Sequence, residues 1–246
     1  MSKRNILAFD LYGDYALFKK PWCNREQQSF LVPPKTSIIG LVGGILGYKR
    51  ENYLEKLSFN EIYTGITLLN EDGKELHGFN FMHGKNLDNI TKKLSNPYRN
   101  PTDNGSLSPT RLEYIKNPIY RIFLYLEDVN LRDKVQKCLE EGRYVFPPYL
   151  GKANLFANID NFLKTNLKET EIEYSNTVVP SEMVKVTEVK KKLYTERLPI
   201  RMDIDRSSPI YETIAVVKDG KIPLKESVDD DYIMGKTNEN ERLVLI

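Results

Sequence analysis

The sequence predicts an α+β fold in which two strand-helix units share one sheet and a β-rich region follows. Three features of the 246-residue chain carry that prediction. A short apolar run at its start is followed by a helix-start signal, a second strand-then-helix pair begins at Tyr120, and the final third alternates in short runs without a helical period.

The run 6–12 is apolar, of strand length, and stopped by Gly13. Residues 15–31 mix aromatic, basic and polar side chains without a period, which predicts a long exposed loop with at most one short strand. Pro33-Pro34 bars helix upstream, and Thr36 and Ser37 offer hydroxyls for the first turn, so a helix is expected to begin there. Ile38, Leu41, Val42, Ile45 and Leu46 give it one apolar face, and Gly40, Gly43, Gly44 and Gly47 give it a second face without side chains. Each interior glycine costs about 0.5–1 kcal/mol relative to alanine. The compensation expected is close approach of another backbone, from protein or ligand. The pattern G-x-x-x-x-G-K-[ST] is absent, so this is no nucleotide P-loop.

Residues 59–70 read as a strand, turned by Glu71-Asp72-Gly73 into a hairpin with residues 74–81. Residues 82–117, with Pro97, Pro101, Gly105 and Pro109 among Asn and Ser, read as a functional insertion. A strand at 120–126, a helix at 131–141 ended by Gly142, and a closing strand at 158–163 complete the order. That order is close to a split β-α-β, ferredoxin-like plan, one that RNA-recognition scaffolds use. Residues 1–165 are therefore one domain and 166–246 a β-rich C-terminal region. The latter is expected to hold a strand at 184–189, a hairpin at Asp219-Gly220 between 214–217 and Ile222, a solvated strand edge at Lys190-Lys191-Lys192, and a turn at 229–231.

Lys and Arg number 36 against 34 Asp and Glu, so net charge alone does not announce nucleic-acid binding. The distribution is uneven: residues 1–50 carry eight basic against three acidic side chains, and residues 201–246 seven against ten. Cys23 and Cys138 lack CxxC spacing, and His77 and His83 lack any HxxxH pattern, so neither a metal nor a cofactor is expected. The N-terminal apolar run breaks at Asp10, too short for a signal-peptide core, and no run reaches the roughly 18 apolar residues of a membrane span. The expectation is a cytoplasmic protein without membrane contact.

Two segments stand out together. One runs from Gly13-x-Tyr15-Ala16-x-Phe18-Lys19 through Trp22 to Phe30-x-Val32-Pro33-Pro34-Lys35-Thr36-x-Ile38-Ile39-Gly40-Leu41-x-Gly43-x-Ile45-Leu46-Gly47; the other is Pro148-Tyr149-Leu150-Gly151-Lys152. In this order, about a hundred residues apart, they resemble the two signatures of CRISPR-associated family five, of the RAMP superfamily. The likeness covers most of residues 1–165 and points to the type I-B branch. It implies a ferredoxin-like, RRM-related core with an inserted thumb, here placed at 82–117. It further implies a non-catalytic subunit of a type I CRISPR interference (Cascade-type) complex in antiviral defence, gripping the 5′ handle of the guide RNA (crRNA). Its partners would be a family-seven-type backbone and a large subunit, with target DNA met only through the complex.

An unpaired RNA tail is held by cations on its phosphates and aromatic faces on its bases. Lys19, Lys20, Arg25 and Lys35 are candidate cations, and Tyr12, Phe18 and Trp22 candidate stacking faces. Thr36 and Ser37 place hydroxyls and free amides at a helix N-terminus, and Gly40 admits a close backbone. Gly151, Lys152 and Asn154 read equally as a second backbone contact or as a tight turn, and Arg99 and Arg111 are candidates in the insertion. For each aromatic residue the competing reading is core, and for each lysine a solvated surface. Two alternatives stay open. One is the metal-independent endoribonuclease known in a branch of the family, for which His83 and Lys85, completed by Tyr12 or Tyr48, are the available residues. The other is an unrelated RRM-like binding module.

Overall fold

The computed structural model describes residues 3–23, 26–82, 107–189, 192–218, 220–225 and 232–246. The chain opens on β1 (Lys3–Tyr12). Leu7, Phe9 and Leu11 face one core while Ile6 and Ala8 face another, which is why the run reads as continuously apolar rather than alternating. Four two-residue strands follow: β2 (Tyr15–Ala16), β3 (Phe18–Lys19), β4 (Glu26–Gln27) and β5 (Ser29–Phe30). Next come α1 (Lys35–Ile45), α2 (Tyr53–Lys56), β6 (Ile62–Asn70), β7 (Lys74–Met82), β8 (Leu107–Lys116), β9 (Ile119–Leu126), α3 (Val129–Glu141) and β10 (Asn158–Glu169).

Strands β10, β1, β9 and β6 lie side by side in that order, all antiparallel, with α1 between β1 and β6 in sequence and α3 between β9 and β10. The fold is thus sheet-rich α+β. Asp128 caps α3 by accepting from the amides of Asn130 (2.8 Å) and Leu131 (3.3 Å), and Gly142 ends it at φ 61°.

Several local expectations are corrected. The stretch 15–31 is no exposed loop, since Ala16, Leu17, Phe18, Phe30 and Leu31 are each at most 5% exposed. It lacks a period because its short strands serve different partners: β2 and β4 pair with β8, and β3 with β5. Residues 59–70 do not form a hairpin with 74–81. β6 pairs with β9, whereas β7 pairs with β8 from Lys74 opposite Ile115 to Met82 opposite Leu107. Gly73, at φ 97°, accepts from the Lys116 amide (3.0 Å), so the turn starts a separate arm instead of folding back. Residues 107–116 of the expected insertion are accordingly a strand, and the rest, 83–106, lies outside the described residues.

The C-terminal region contributes β11 (Tyr174–Ser175), β12 (Val179–Pro180), β13 (Leu193–Arg201), β14 (Ile210–Val217), β15 (Ile222–Pro223), β16 (Ile233–Thr237) and β17 (Arg242–Leu245). The expected strand at 184–189 is replaced by 3₁₀ turns at Ser181–Met183 and Val186–Glu188. The expected hairpin at 219–220 is absent too, because β14 pairs with β12 and β13 while β15 pairs with β11. Ile214, Ala215, Val216 and Val217 are all buried, as befits the middle strand of three. Of the lysine run only Lys192 is described, over the Tyr194 ring at 4.7 Å; Lys190, Lys191 and residues 229–231 lie outside the described residues.

β16 and β17 extend the main sheet beyond β10. Thr64 of β6 and Ile246 then exchange both backbone hydrogen bonds (2.9 and 3.0 Å), so the two edges of the six-stranded sheet meet. One sheet face is thereby filled by Ile6, Ala8, Phe123, Leu167, Leu243 and Leu245. The other packs on α1 and α3.

Candidate nucleic-acid interface

The two sequence segments that stand out come together in space. Leu17 donates to the Leu150 carbonyl (3.0 Å), and Gly151 turns the chain at φ 88° against the backbone of Leu17. Between this turn and the first turns of α1 lies a cleft of about 180 Å³, whose lining includes Phe18, Thr36, Ser37, Gly40, Tyr149 and Gly151. The helix begins as expected, but no hydroxyl caps it. Pro34, extended at φ −61° and ψ 153°, accepts from the amides of Ser37 (2.9 Å) and Ile38 (3.1 Å).

Past Gly40 the cleft widens into a groove of about 680 Å³. Its floor is the glycine face of α1. A Cβ at Gly40 or Gly44 would meet nothing within 4 Å, whereas one at Gly43 would lie 3.3 Å from Tyr53. Gly43 therefore answers a packing need, and Gly40 and Gly44 leave the floor open. Tyr53, Phe146 and Tyr149 line the sides, with Lys49, Arg50 and Arg206 as cations and Glu51 as a carboxylate. The amides of Val145 and Phe146 donate to the carbonyls of Ile45 (3.1 Å) and Gly44 (3.2 Å), fixing this wall to the end of α1. The Tyr149 turn is held by Leu150 bonded to Leu155 (2.8 Å) and Ala157 bonded to Pro148 (3.0 Å). Arg206, at φ 63°, sets its guanidinium 5.0 Å from the Tyr53 ring centroid.

Some expected contacts are corrected. Lys35 is buried: its ammonium donates to the Phe59 carbonyl (3.0 Å) and lies 5.5 Å from the Tyr63 ring centroid. Burial, reinforced by Arg201, pushes it down to about 8, so it is a core cation rather than an exposed one. Lys20 is committed to Glu196 (3.0 Å), and Phe18 is a core ring against Tyr120. Thr36 is buried at the cleft's base. Trp22, by contrast, is 54% exposed, packed edge-on against Phe30 and tilted against Tyr211. Lys19, Arg111 and Asn154 are exposed, and Tyr12 is half-buried at the end of β1, next to Leu11 of the cleft lining. The Lys152 ammonium lies 5.7 Å from the Phe81 ring centroid. Arg25, Arg99, His83 and Lys85 lie outside the described residues.

The sequence reading missed Tyr53, Phe146, Tyr149, Lys49, Arg50 and Arg206. Tyr149 lies within the Pro148–Lys152 segment, where the glycine carries the sequence signal; the others become a group only through the fold. A ladder on β7 was missed as well: the rings of His77, Phe79 and Phe81 stack at 6.5 and 6.0 Å, with Tyr114 beside them. At its base Glu75 accepts from Lys116 (2.8 Å) and Tyr15 (3.0 Å) and contacts the His77 ring at 3.2 Å. These hydrogen bonds, Lys116 foremost, then His77 and Tyr15, lower the Glu75 carboxyl from the ordinary 4.5 to about 2. A carboxyl lowered on folding supports the arm fully above 4.5 and loses that support as pH falls toward 2. Carboxyl ¹³C shifts of Glu75 followed with pH should show a midpoint near 2; a midpoint at the ordinary carboxylate value would mean the pin does not form.

Among the described residues no helix is long and apolar enough to cross a membrane, and no group of three or more metal-ligating side chains converges.

The family model of the CRISPR-associated protein Cas5 matches residues 6–220, so the chain belongs to the Cas5 family. Among solved structures it is similar to a CRISPR protein from Archaeoglobus fulgidus, with a TM-score of 0.52, 12% identity, and coverage of 98% of each chain. It is also similar to a chain of a CRISPR RNA-guided surveillance complex, at a TM-score of 0.49, 14% identity, and coverage of 91% of this chain and 90% of that one. No curated protein matches it.

Proposed function

We propose that the chain is a non-catalytic crRNA-binding subunit of a type I CRISPR interference complex, of the type I-B kind, that grips the 5′ handle of the guide RNA in antiviral defence. It caps a family-seven-type backbone next to the large subunit and works in the cytoplasm. The observation that carries this reading is the cleft where Ser37 and Gly40 of α1 face Gly151, joining both family segments around one opening. The strand order β10-β1-β9-β6 supports a ferredoxin-like, RRM-related core, and β8 of the β7–β8 arm falls within the 82–117 stretch expected to form the thumb.

Against a generic RRM-like module stands the filled sheet face. Such modules stack bases on an open sheet, whereas here Leu243 and Leu245 fill that face. RNA is left the helix side and the arm. For the endoribonuclease alternative, His83 and Lys85 lie outside the described residues, and replacement of His83 decides it.

The test is a pull-down of the tagged chain from its native host, with sequencing of bound RNA and identification of bound proteins. Guide RNAs sharing one 5′ end, together with several companion subunits, are expected. A solitary protein without RNA would overturn the reading. Unchanged repeat cleavage in the host on replacing His83 by Ala separates holder from nuclease.

A further inference from the structure

Resting on that RNA-binding reading, we propose that the groove between the glycine face of α1 and the Phe146–Tyr149 wall is a second, contiguous RNA subsite. It takes an unpaired nucleotide, with the base against Tyr149 and the flanking phosphates at Lys49 and Arg50. The groove and the cleft share Gly40, Leu41, Tyr53 and Tyr149, so the groove is the next opening a strand entering at Ser37 would meet. About 680 Å³ falls within the roughly 300–1,000 Å³ of sites that enclose small organic groups.

Three features select a nucleotide over a packed helix. Tyr149 and Phe146 are 48% and 51% exposed although their backbones are pinned, so their faces are pre-positioned and unused. Lys49 and Arg50 are exposed with no carboxylate partner among the described residues. With Arg206 they outnumber Glu51, the one carboxylate among the described residues of the lining, which favours an anionic occupant. Aromatic faces beside an unpaired basic rim are what single-stranded nucleic acid uses, and an open floor at Gly40 and Gly44 lets a sugar-phosphate backbone approach the helix.

The experiment uses the tagged chain in the ribonucleoprotein recovered from its host, as wild type, Tyr149→Ala, Gly44→Leu and the pair Lys49→Gln/Arg50→Gln. Ultraviolet cross-linking followed by peptide mapping should place RNA on Tyr149 or Phe146. Tyr149→Ala and Gly44→Leu should each weaken retention of the RNA 5′ end about tenfold, in line with the loss of one stacked base. The charge pair should flatten the salt dependence of retention by about 1.4 in slope, two phosphate contacts at about 0.7 each. Tyr149 is exposed and Gly44 opens on space, so the melting temperature should hold in both single variants. RNA retained as in wild type by every variant, with no cross-link in the groove, would overturn the subsite while leaving the crRNA-binding reading intact. Loss of a companion protein with RNA retention unchanged would also overturn it, in favour of a docked helix. Absence of RNA from the wild-type preparation would remove both readings together.

Discussion

Leu245→Ala should destabilise the protein by about 2–5 kcal/mol, a fall of very roughly 4–20 °C in melting temperature for a domain of this size. Leu245 has no exposed surface and sits over Gly65, whose Cβ, if it had one, would lie 2.7 Å from the leucine Cδ2 and 3.0 Å from the Thr177 Cγ2. The site therefore closes two things at once. It fills the interior face of the main sheet, and it places Ile246 to exchange hydrogen bonds with Thr64. Truncation leaves a cavity bounded by strands from both ends of the chain, where collapse of one wall pulls on the other. Denaturant unfolding checks this directly, with Val186→Ala at a 68% exposed position as the control expected within about 0.5 kcal/mol of wild type. Gly65→Ala supplies the second arm. It should cost more in the wild type than in Leu245→Ala, because the missing side chain makes room for the methyl, and the coupling should be of order 0.5–3 kcal/mol. Additive effects would mean the sheet edges do not meet there.

This closure was not legible in the sequence, and the reason is physical. The run 243–245 reads as three apolar residues of a short strand, and nothing local tells whether such a strand ends a separate unit or pairs back on β6 more than 170 residues earlier. Elements whose signal is local were legible: β1, α1, β9 and α3 lie where period, prolines and the terminal Gly142 put them. Pairing was not. The turn 71–73 looks the same from sequence whether it folds a strand back on its neighbour or sends the chain out along an arm, and only the partner β8 decides. Around the cleft, residue type points to Gly40 and Gly151, which both line it, because glycine's lack of a side chain leaves a mark in sequence. The burial of Lys35 is not legible, because a lysine that bonds a carbonyl inside the core is spelled like one that meets a phosphate.

Gly151→Ala is the second large effect expected, and it separates what the turn does for the fold from what it does for RNA. The backbone there is at φ 88°, a region L side chains rarely adopt, with a strain of about 1–3 kcal/mol for a non-glycine residue. Space is also lacking, since a Cβ would fall 2.1 Å from the Leu17 carbonyl oxygen and 2.6 Å from its carbon. Backbone cannot swing aside as a side-chain tip does, so the turn must move off the 15–18 segment and break the bond from Leu17 to Leu150. That movement separates the two walls of the cleft lined by Ser37, Gly40 and Gly151. A lowered melting temperature and lost guide RNA should therefore appear together in Gly151→Ala. Lys152→Ala and Asn154→Ala, on half-buried and exposed positions of the same loop, should leave stability near wild type. Thermal unfolding alongside RNA retention reads both quantities from one preparation. If Gly151→Ala melts as the wild type does, the close approach of the two family segments is wrong. If it melts lower but holds RNA unchanged, the cleft is a structural seam and the RNA grip belongs to the exposed aromatic and basic side chains of the arm.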